Sequence, residues 1–467
     1  MKPTRTGPHP SGQSASTMAR VPLEWMFPAM LVMPAAEVLW TQRDLAQSFE
    51  HLQALSAPAR PLALMVLQRT VSLVILAVSV GQILQHLARP SAVSHPATTV
   101  LVTAFLGYWV GTIGLPAVFG AHPGLTHELM YPLLAGIAVC LVTPGESDRI
   151  LRTARDALLV LMAAGLLLAL ARPAMVFDMN YSEGLLPGLP RFAGLTPHPV
   201  AQGMLAQLAL LLLAARPLPR VWLHRSAWML AWSVLLLAQS KTAWIAWIAC
   251  AVCLRAWRPA SAPRPQGEGR LAWVCVIVIA GALVAMALGL TGGASSGGGL
   301  SLWSDTGGTR GAQLATLTGR DRIWAAAAQE WREHPVFGYG LSLWDPAYRL
   351  GIGLPQATHA HNQLMDDAAR AGSVGVASLV VYLALLATLA GRRVRPSAGL
   401  TLALFLALVI RGVSEVPLVL LGYGSDLFTH LLLLVAIAGT VPAATHARWT
   451  QPPSHHPARR AGRGAAA

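Results

Sequence analysis

A succession of long apolar segments dominates this sequence. A helix needs about 20 mainly apolar residues to cross the hydrocarbon core of a membrane. Segments close to that length fall at 21–40, 62–84, 97–119, 128–143, 156–177, 199–214, 222–239, 243–257, 271–290, 372–390, 398–415 and 421–440. Charged residues make up only 12% of the chain, against about 25% in soluble domains. The sequence therefore predicts an all-α, polytopic integral membrane protein with about 12 transmembrane helices.

Arginines between these segments predict the orientation of the chain. They gather in alternate connections and in the C-terminal tail: Arg149, Arg152, Arg155, Arg216, Arg220, Arg225, Arg255, Arg258, Arg264, Arg270, Arg392, Arg393, Arg395, Arg459, Arg460 and Arg463. Short loops rich in Lys and Arg stay in the cytoplasm, so we expect both termini there. The net charge of +14 follows this bias, and we expect no nucleic-acid partner, since that would need a basic patch on a folded surface.

The same orientation divides the chain into five parts. We expect a cytoplasmic N-terminal tail at 1–20 and transmembrane helices 1–9 at 21–290. A large periplasmic loop with amphipathic interfacial helices follows at 291–371, then transmembrane helices 10–12 at 372–441. The C-terminal tail at 442–467 is expected in the cytoplasm.

Five cations do not follow the arginine bias and fall at the expected outer face. They are Arg191, Lys241, Arg320, Arg322 and Arg411. Each one alone has an alternative interpretation, a long side chain that reaches the membrane interface. As a group at the level of lipid headgroups, they predict a site for an anionic, lipid-linked ligand.

The long loop contains a predicted helix that begins near two of these cations. Thr318-Gly-Arg-Asp321 has the form of an N-terminal capping box, and Pro335 ends the helical pattern that starts at Gly319 and runs to about Glu333. An apolar stripe recurs at helical spacing: Ile323, Trp324, Ala327 and Trp331. We expect the helix to lie along the membrane interface, with an N-terminus suited to a phosphate. A surface helix with two solvated arginines is the alternative.

Two histidines follow in Thr358-His-Ala-His-Asn-Gln-Leu-Met-Asp-Asp367. Histidine accepts a proton near neutral pH, so His361 is a candidate general base beside the arginines. A zinc site would need three or four ligands at suitable spacing, and a pair of histidines two residues apart does not share a helix face. The four cysteines fall inside apolar segments. We therefore expect no metal and no other cofactor.

Several short patterns resemble bacterial O-antigen ligases. His361-Asn362, nine residues, Gly372, two residues and Gly375 are similar to the ligase pattern. Gly319-Arg320, Ile323-Trp324 and His-Pro-Val-Phe-Gly-Tyr-Gly340 resemble the wider domain shared with O-antigen polymerases and O-linked oligosaccharyltransferases. The segments around Arg191 and Ser240-Lys241 also resemble family positions, although Ser-Arg is usual where this chain has Ser-Lys. The resemblance covers roughly residues 185–375.

The resemblance implies a lipopolysaccharide ligase. Such an enzyme moves an O-antigen polysaccharide from undecaprenyl diphosphate to the lipid A–core oligosaccharide, at the periplasmic face of the bacterial inner membrane, without a metal. Its partners would be that donor, that acceptor and membrane lipids. We expect an inverting transfer with His361 as the base and Arg191 and Arg320 as the main diphosphate contacts. Lys241, Arg322 and Arg411 would support them.

Other functions stay open at this point. An O-antigen polymerase or a protein O-oligosaccharyltransferase would differ in its acceptor, which the sequence does not reveal. A transporter of a lipid-linked glycan would need ionisable residues near the membrane centre and similar halves. Here the ionisable residues crowd the expected outer face, the halves are unlike, and the intramembrane pair Glu37 and Arg69 is interpreted as structural. Within the site, His359 is the second candidate base, and Glu333, Asp367 and Glu415 are carboxylate alternatives.

Overall fold

The computed structural model describes residues 22–45, 61–88, 96–179, 186, 189–259, 320–355 and 357–440. Within them the chain is mainly helical. The first group of helices is α1 Met26–Thr41, α2 Leu62–Leu87, α3 Pro96–Trp109, α4 Met130–Cys140, α5 Pro144–Ala171, α6 Pro199–Ala215, α7 Val221–Ala238 and α8 Lys241–Ala256. The second group is α9 Arg320–Glu333, α10 Pro346–Gly351, α11 Gln363–Arg392, α12 Leu400–Gly412 and α13 Ser425–Gly439.

Shorter elements complete the described chain. A 3-10 turn, Leu23–Trp25, precedes α1, and another, His127–Leu129, precedes α4. A π-helical turn, Val110–Gly114, continues α3 into Leu115–Phe119, and the helical turn Pro173–Val176 follows α5. Two strands, β1 Phe177–Asp178 and β2 Arg191–Phe192, pair antiparallel with Asp178 opposite Arg191.

Among the residues that the structure describes, six helices are long and apolar enough to cross a membrane. They are Leu23–Thr41, Leu62–Leu87, Ala97–Phe119, Pro144–Ala171, Val221–Ala238 and Gln363–Arg392. Four shorter apolar helices, His127–Cys140, Pro199–Ala215, Leu400–Gly412 and Ser425–Gly439, pack among them. The protein is therefore a multi-pass membrane protein. The apolar segment expected at 271–290 lies outside the described residues.

Two helix starts differ from the expectation because polar caps extend the helices beyond their apolar parts. The helix expected from residue 156 begins at Pro144, where Thr143 and Glu146 form a capping box. The helix expected from residue 372 follows a further helical stretch that begins at Gln363, where the Asn362 side chain accepts a hydrogen bond from Met365 N, and the two stretches join across the non-helical residue Gly372. Charged side chains in these first turns hid the helix from a count of apolar residues.

Two apolar clusters stabilise the described chain. The large one lies between the bundle helices and includes fully buried Trp244, Phe105 and Phe428. The small one joins α9, α10 and the start of α11 through buried residues such as Ile323 and Trp344. The helix expected between Gly319 and Glu333 is thus confirmed from Arg320 onward. Its buried face packs on the protein's own loop and on α11.

The arginine-rich connections meet at one end of the bundle. Arg216 forms an ion pair with Asp148 and also donates a hydrogen bond to Ala215 O. Ser147 donates to Val435 O, and Arg393 donates to Thr440 O. Because α12 begins beside Cys253 at this end and runs for about 20 Å, Glu415 after its last turn lies at the opposite end.

The two ends should face opposite sides of the membrane. In a background without cysteine, we expect Asp345→Cys in spheroplasts to react with a membrane-impermeant maleimide. Gly145→Cys, exposed at the arginine end with open space around its added side chain, should react only after the membrane is opened. Reaction of Gly145→Cys in sealed spheroplasts, with protection of Asp345→Cys, would reverse the orientation.

Candidate active site

One carboxylate brings together side chains from three distant segments. Glu415 lies just after α12, Arg320 opens α9, and two histidines precede α11. Its oxygens lie 3.4 Å from His361 Nδ1, 3.6 Å from His359 Nε2 and 3.6 Å from Arg320 Nη2. The Glu415 side chain is only 13% exposed. All three distances are longer than those of short hydrogen bonds.

The charge of Glu415 is maintained by these neighbours. Burial alone would raise its pKa, because it penalises the charged form. His361, His359 and Arg320 outweigh that effect, and the pKa of Glu415 is lowered below its ordinary value. The carboxylate is therefore ionised at neutral pH.

His359 is held as a neutral ring. Its Nδ1 accepts a hydrogen bond from the backbone N–H of His361 at 3.0 Å, so the ring proton is on Nε2, which faces Glu415. Burial, followed by the influence of His361, lowers the pKa of His359 to about 4. A ring with this proton arrangement orients its neighbours and is a poor proton acceptor near pH 7.

His361 has a different geometry. Its backbone is left-handed, with φ 50°. Such a conformation costs about 1–3 kcal/mol and persists only where the surrounding structure imposes it. Its buried Nδ1 faces Glu415. Nε2 makes no hydrogen bond within the described residues. A carboxylate behind one ring nitrogen and a free second nitrogen is the arrangement of a general base.

The segment that carries Glu415 is fixed at both ends by the residues next to His361. Asn362 Nδ2 donates to Val413 O at 3.2 Å, and Leu418 N donates to Gln363 Oε1 at 2.9 Å. The strained backbone at His361 and the position of Glu415 therefore depend on each other.

The glycines of the ligase pattern create a break in α11. At Gly372 the backbone is left-handed, with φ 66° and ψ −161°, and an added Cβ would lie 2.4 Å from the Val336 carbonyl carbon. The segment after α9 fills the break, since Tyr339 N donates to Ala369 O and Ser373 N donates to Pro335 O. This explains why Gly372 and the segment His334 to Gly340 accompany the histidine.

Asp366 anchors the loop before the break. Its oxygens accept hydrogen bonds from Trp344 Nε1 and Ala360 N, each at 2.9 Å, and from Arg370 Nε at 3.1 Å. Ala360 lies between the two histidines. Asp366 thus has a structural role here.

A second group lies close to this centre. Arg191, on β2, is buried and donates from Nε to Ala238 O at 3.3 Å. His198, before α6, has a pKa lowered to about 4 by burial and then by Arg191. Ala238 ends α7, and the Thr242 hydroxyl shortly after it lies 2.7 Å from the hydroxyl of Ser414, the neighbour of Glu415, so Arg191 and the Glu415 centre lie at one end of the bundle.

Arg43 supports the connection that carries Arg191. Its guanidinium donates to three backbone carbonyls, Met175 O, Pro197 O and Gly194 O, at 2.9–3.0 Å. Arg43 and His198 were not singled out by sequence. Only the Arg191-Phe-Ala-Gly-Leu-Thr-Pro-His-Pro199 segment, as a whole, indicated this region.

The supporting cations lie in different surroundings. Lys241 begins α8, and the neighbouring Thr242 hydroxyl lies 2.7 Å from the Ser414 hydroxyl. Arg411 is fully buried and donates to Thr429 Oγ1 at 2.8 Å. Arg322 is exposed and lines a separate cavity beside α9. Their contact with a diphosphate stays a prediction.

The alternative carboxylate bases separate in the structure. Glu415 contacts His361 directly. Glu333 lies at the C-terminal end of α9 and is exposed. Asp367 is buried in α11 and accepts a hydrogen bond from Gln363 Nε2 at 3.1 Å. Of these three carboxylates, Glu415 is therefore the one that can act as the partner of His361.

The same cluster has donor atoms that could in principle hold a metal ion. One ligand atom each from His359, His361 and Glu415 lies within 4.8 Å of the others. Two imidazoles and a carboxylate are a zinc-type set. The absence of a metal therefore stays a prediction.

Part of this region matches a known protein family. Residues 226–380 match the family model described as O-antigen ligase. The resemblance to O-antigen ligases is confirmed over these residues, about a third of the chain. A comparison with curated proteins found no match.

The matched region includes Lys241, Arg320 and both histidines. Arg191, Arg411 and Glu415 lie outside it. The match supports an enzyme of the O-antigen ligase or polymerase type, a glycosyltransferase-like protein with lipid-linked glycan and acceptor substrates in a membrane.

Glu415→Gln tests the partnership with His361. The amide keeps the shape but loses the charge that stabilises a protonated imidazole, so we expect glycan transfer to fall by about 10²- to 10⁴-fold. Glu128→Gln, which removes the charge of an exposed carboxylate just before α4, is the control and should keep the wild-type rate. Equal rates in folded Glu415→Gln and wild-type protein, with folding checked by size-exclusion profile, would contradict the partnership.

Proposed function

We propose that this protein is a lipopolysaccharide ligase. It transfers an O-antigen polysaccharide from undecaprenyl diphosphate to the lipid A–core oligosaccharide, with inversion at the anomeric carbon. The observation that carries the proposal is the contact between Glu415 and His361, beside Arg320. It combines a base and a cation in a region that partly matches O-antigen ligases.

The arginines bind the departing diphosphate. Negative charge grows on that group as its bond to the sugar breaks, so cations positioned there lower the barrier. Arg320 provides such a charge beside Glu415, and Arg191 provides another near His198. A guanidinium suits a phosphate because it donates two parallel hydrogen bonds.

His361 accepts the proton of the acceptor. The acceptor hydroxyl oxygen forms a bond to the anomeric carbon while the bond from that carbon to the diphosphate oxygen breaks. The hydroxyl proton moves to Nε2 of His361, and undecaprenyl diphosphate leaves with the bonding electron pair. The ring is then an imidazolium with a proton on each nitrogen. Glu415 stabilises its positive charge from the Nδ1 side.

The charge around Glu415 favours a mechanism without a metal. Arg320 already lies 3.6 Å from the same carboxylate that a metal would use. A divalent cation added beside this guanidinium would experience repulsion in a largely buried site. Transfer should therefore continue in the presence of EDTA.

The site faces the periplasm in this proposal. The support is the gathering of arginine-rich connections at the opposite end of the bundle together with the positive-inside rule. Both substrates of a ligase are lipid-linked, and a site at the end of a membrane bundle admits them from the bilayer.

Complementation of a ligase-deficient Gram-negative strain tests the proposal, read as the lipopolysaccharide ladder on a gel. His361→Ala, Arg191→Ala and Arg320→Ala should each remove the ladder and leave the core band, with undecaprenyl-linked polymer accumulating. Arg→Lys at either arginine should also be poor, because the planar bidentate contact is lost. His359→Ala should keep some ladder, since His359 orients the His361 backbone and takes no proton.

Three outcomes would contradict this assignment. A normal ladder in both arginine variants would remove them from the diphosphate site. An active His361→Ala beside an inactive His359→Ala would exchange the roles of the histidines. A wild-type protein that made no ladder but glycosylated a protein acceptor would replace the ligase function with another member of the same group.

A further inference from the structure

Arg320 and Arg322 face different surroundings although they are close in sequence. Arg320 lies 3.6 Å from Glu415. Arg322 is exposed, and within the described residues it makes no ion pair. It lines a cavity on the outer side of α9 that shares no lining residue with the Glu415 centre. This second cavity is not used by the mechanism above.

The cavity has the size and lining of a small-molecule site. Its volume is about 440 Å³, within the range of roughly 300–1,000 Å³ that is usual for ligand pockets. Ala325 and Ala326 contribute small apolar side chains from α9, and Leu354 is also apolar. Arg322 and Gln329 bring polar groups to the same space. Apolar patches beside hydrogen-bonding groups suit a ligand with both apolar faces and polar edges.

The polar groups of the cavity are already oriented. The Tyr348 hydroxyl donates to Glu330 Oε1 at 2.9 Å, which leaves the other carboxylate oxygen to accept from a ligand hydroxyl. Gln329 Nε2 donates to Glu333 Oε1 at 2.9 Å, which leaves the Gln329 carbonyl oxygen as an acceptor. Groups fixed in this way lose little side-chain entropy when a ligand binds.

We propose that this cavity is a saccharide subsite, which holds a pyranose ring of one of the glycan substrates. A pyranose has apolar C–H faces for the alanines and Leu354, and hydroxyl edges for Glu330 and Gln329. Arg322 provides a charge for an acidic substituent, a carboxylate or a phosphate, on that sugar. This inference rests on the proposed function, since it names where the glycan of the same reaction binds.

The position of the cavity fits a sugar a short distance from the reacting one. The cavity extends along α9 from Arg322 to Gln329, about 10 Å at the helical rise. The helix starts at Arg320, beside the candidate base. A ring bound there would hold the glycan in register with His361, so the subsite contributes binding energy from a part of the substrate that does not react.

Two variants on the cavity and one outside it test the subsite. Arg322→Gln removes the positive charge of the cavity, and Gln329→Ala removes its amide acceptor. Both positions are exposed. Arg332→Gln is the matched control, because it is an exposed arginine near the other end of α9 that does not line the cavity. The probes are core oligosaccharide freed of its lipid and a short O-antigen oligosaccharide. Their binding to the detergent-purified protein is measured by thermophoresis, followed by the KM for each full substrate.

We expect both cavity variants to weaken binding and raise KM about tenfold for one glycan, with kcat nearly unchanged in Gln329→Ala and Arg332→Gln like the wild type. An effect on the core oligosaccharide would make it an acceptor subsite, and an effect on the O-antigen fragment a donor subsite. Binding that depends on Arg322 and Gln329 in a wild-type protein that transfers nothing would support the subsite and reject the proposed function. Unchanged binding and KM in both variants, or no binding of either probe by the wild type, would overturn the subsite.

Discussion

Glu415 has a charge that the surrounding chain must satisfy. A buried carboxylate is costly unless cations or hydrogen-bond donors accompany it. Arg320 and the two histidines accompany this one, although they come from segments far apart in the sequence. Asn362 donates a hydrogen bond to Val413 on one side of Glu415, and Gln363 accepts one from Leu418 on the other, and the two fix that arrangement. The left-handed backbone of His361 is the local strain that the arrangement imposes.

The long apolar runs of the sequence predicted most of the described fold. The hydrophobic effect of the bilayer selects long apolar runs, and eleven of the twelve expected segments fall on described helices. The helix starts at Pro144 and Gln363 were not predicted, because caps such as Thr143 with Glu146 act through local hydrogen bonds rather than through hydropathy. The α9 helix was predicted because its apolar stripe and Pro335 are both local signals.

The site was predicted in part. Resemblance and charge bias indicated His361, Arg191 and Arg320, but the partner of the histidine depends on tertiary contact. Glu415 follows a different helix, and no spacing in the sequence connects it to His361. Arg320 and Arg322 were both assigned to the diphosphate, although side chains two positions apart in a helix point about 200° apart. Which of the two faces Glu415 becomes apparent only once α9 packs on the loop.

The configuration of the new glycosidic bond tests the central claim most directly. Purified protein would receive a donor of known anomeric configuration and a lipid A–core acceptor, with EDTA present, and the product linkage would be determined by NMR. One base and a stabilised diphosphate predict direct displacement, so the linkage should be inverted and one undecaprenyl diphosphate released for each bond formed. Retention of configuration would require a covalent glycosyl-enzyme intermediate and would contradict His361 as a base acting on the acceptor.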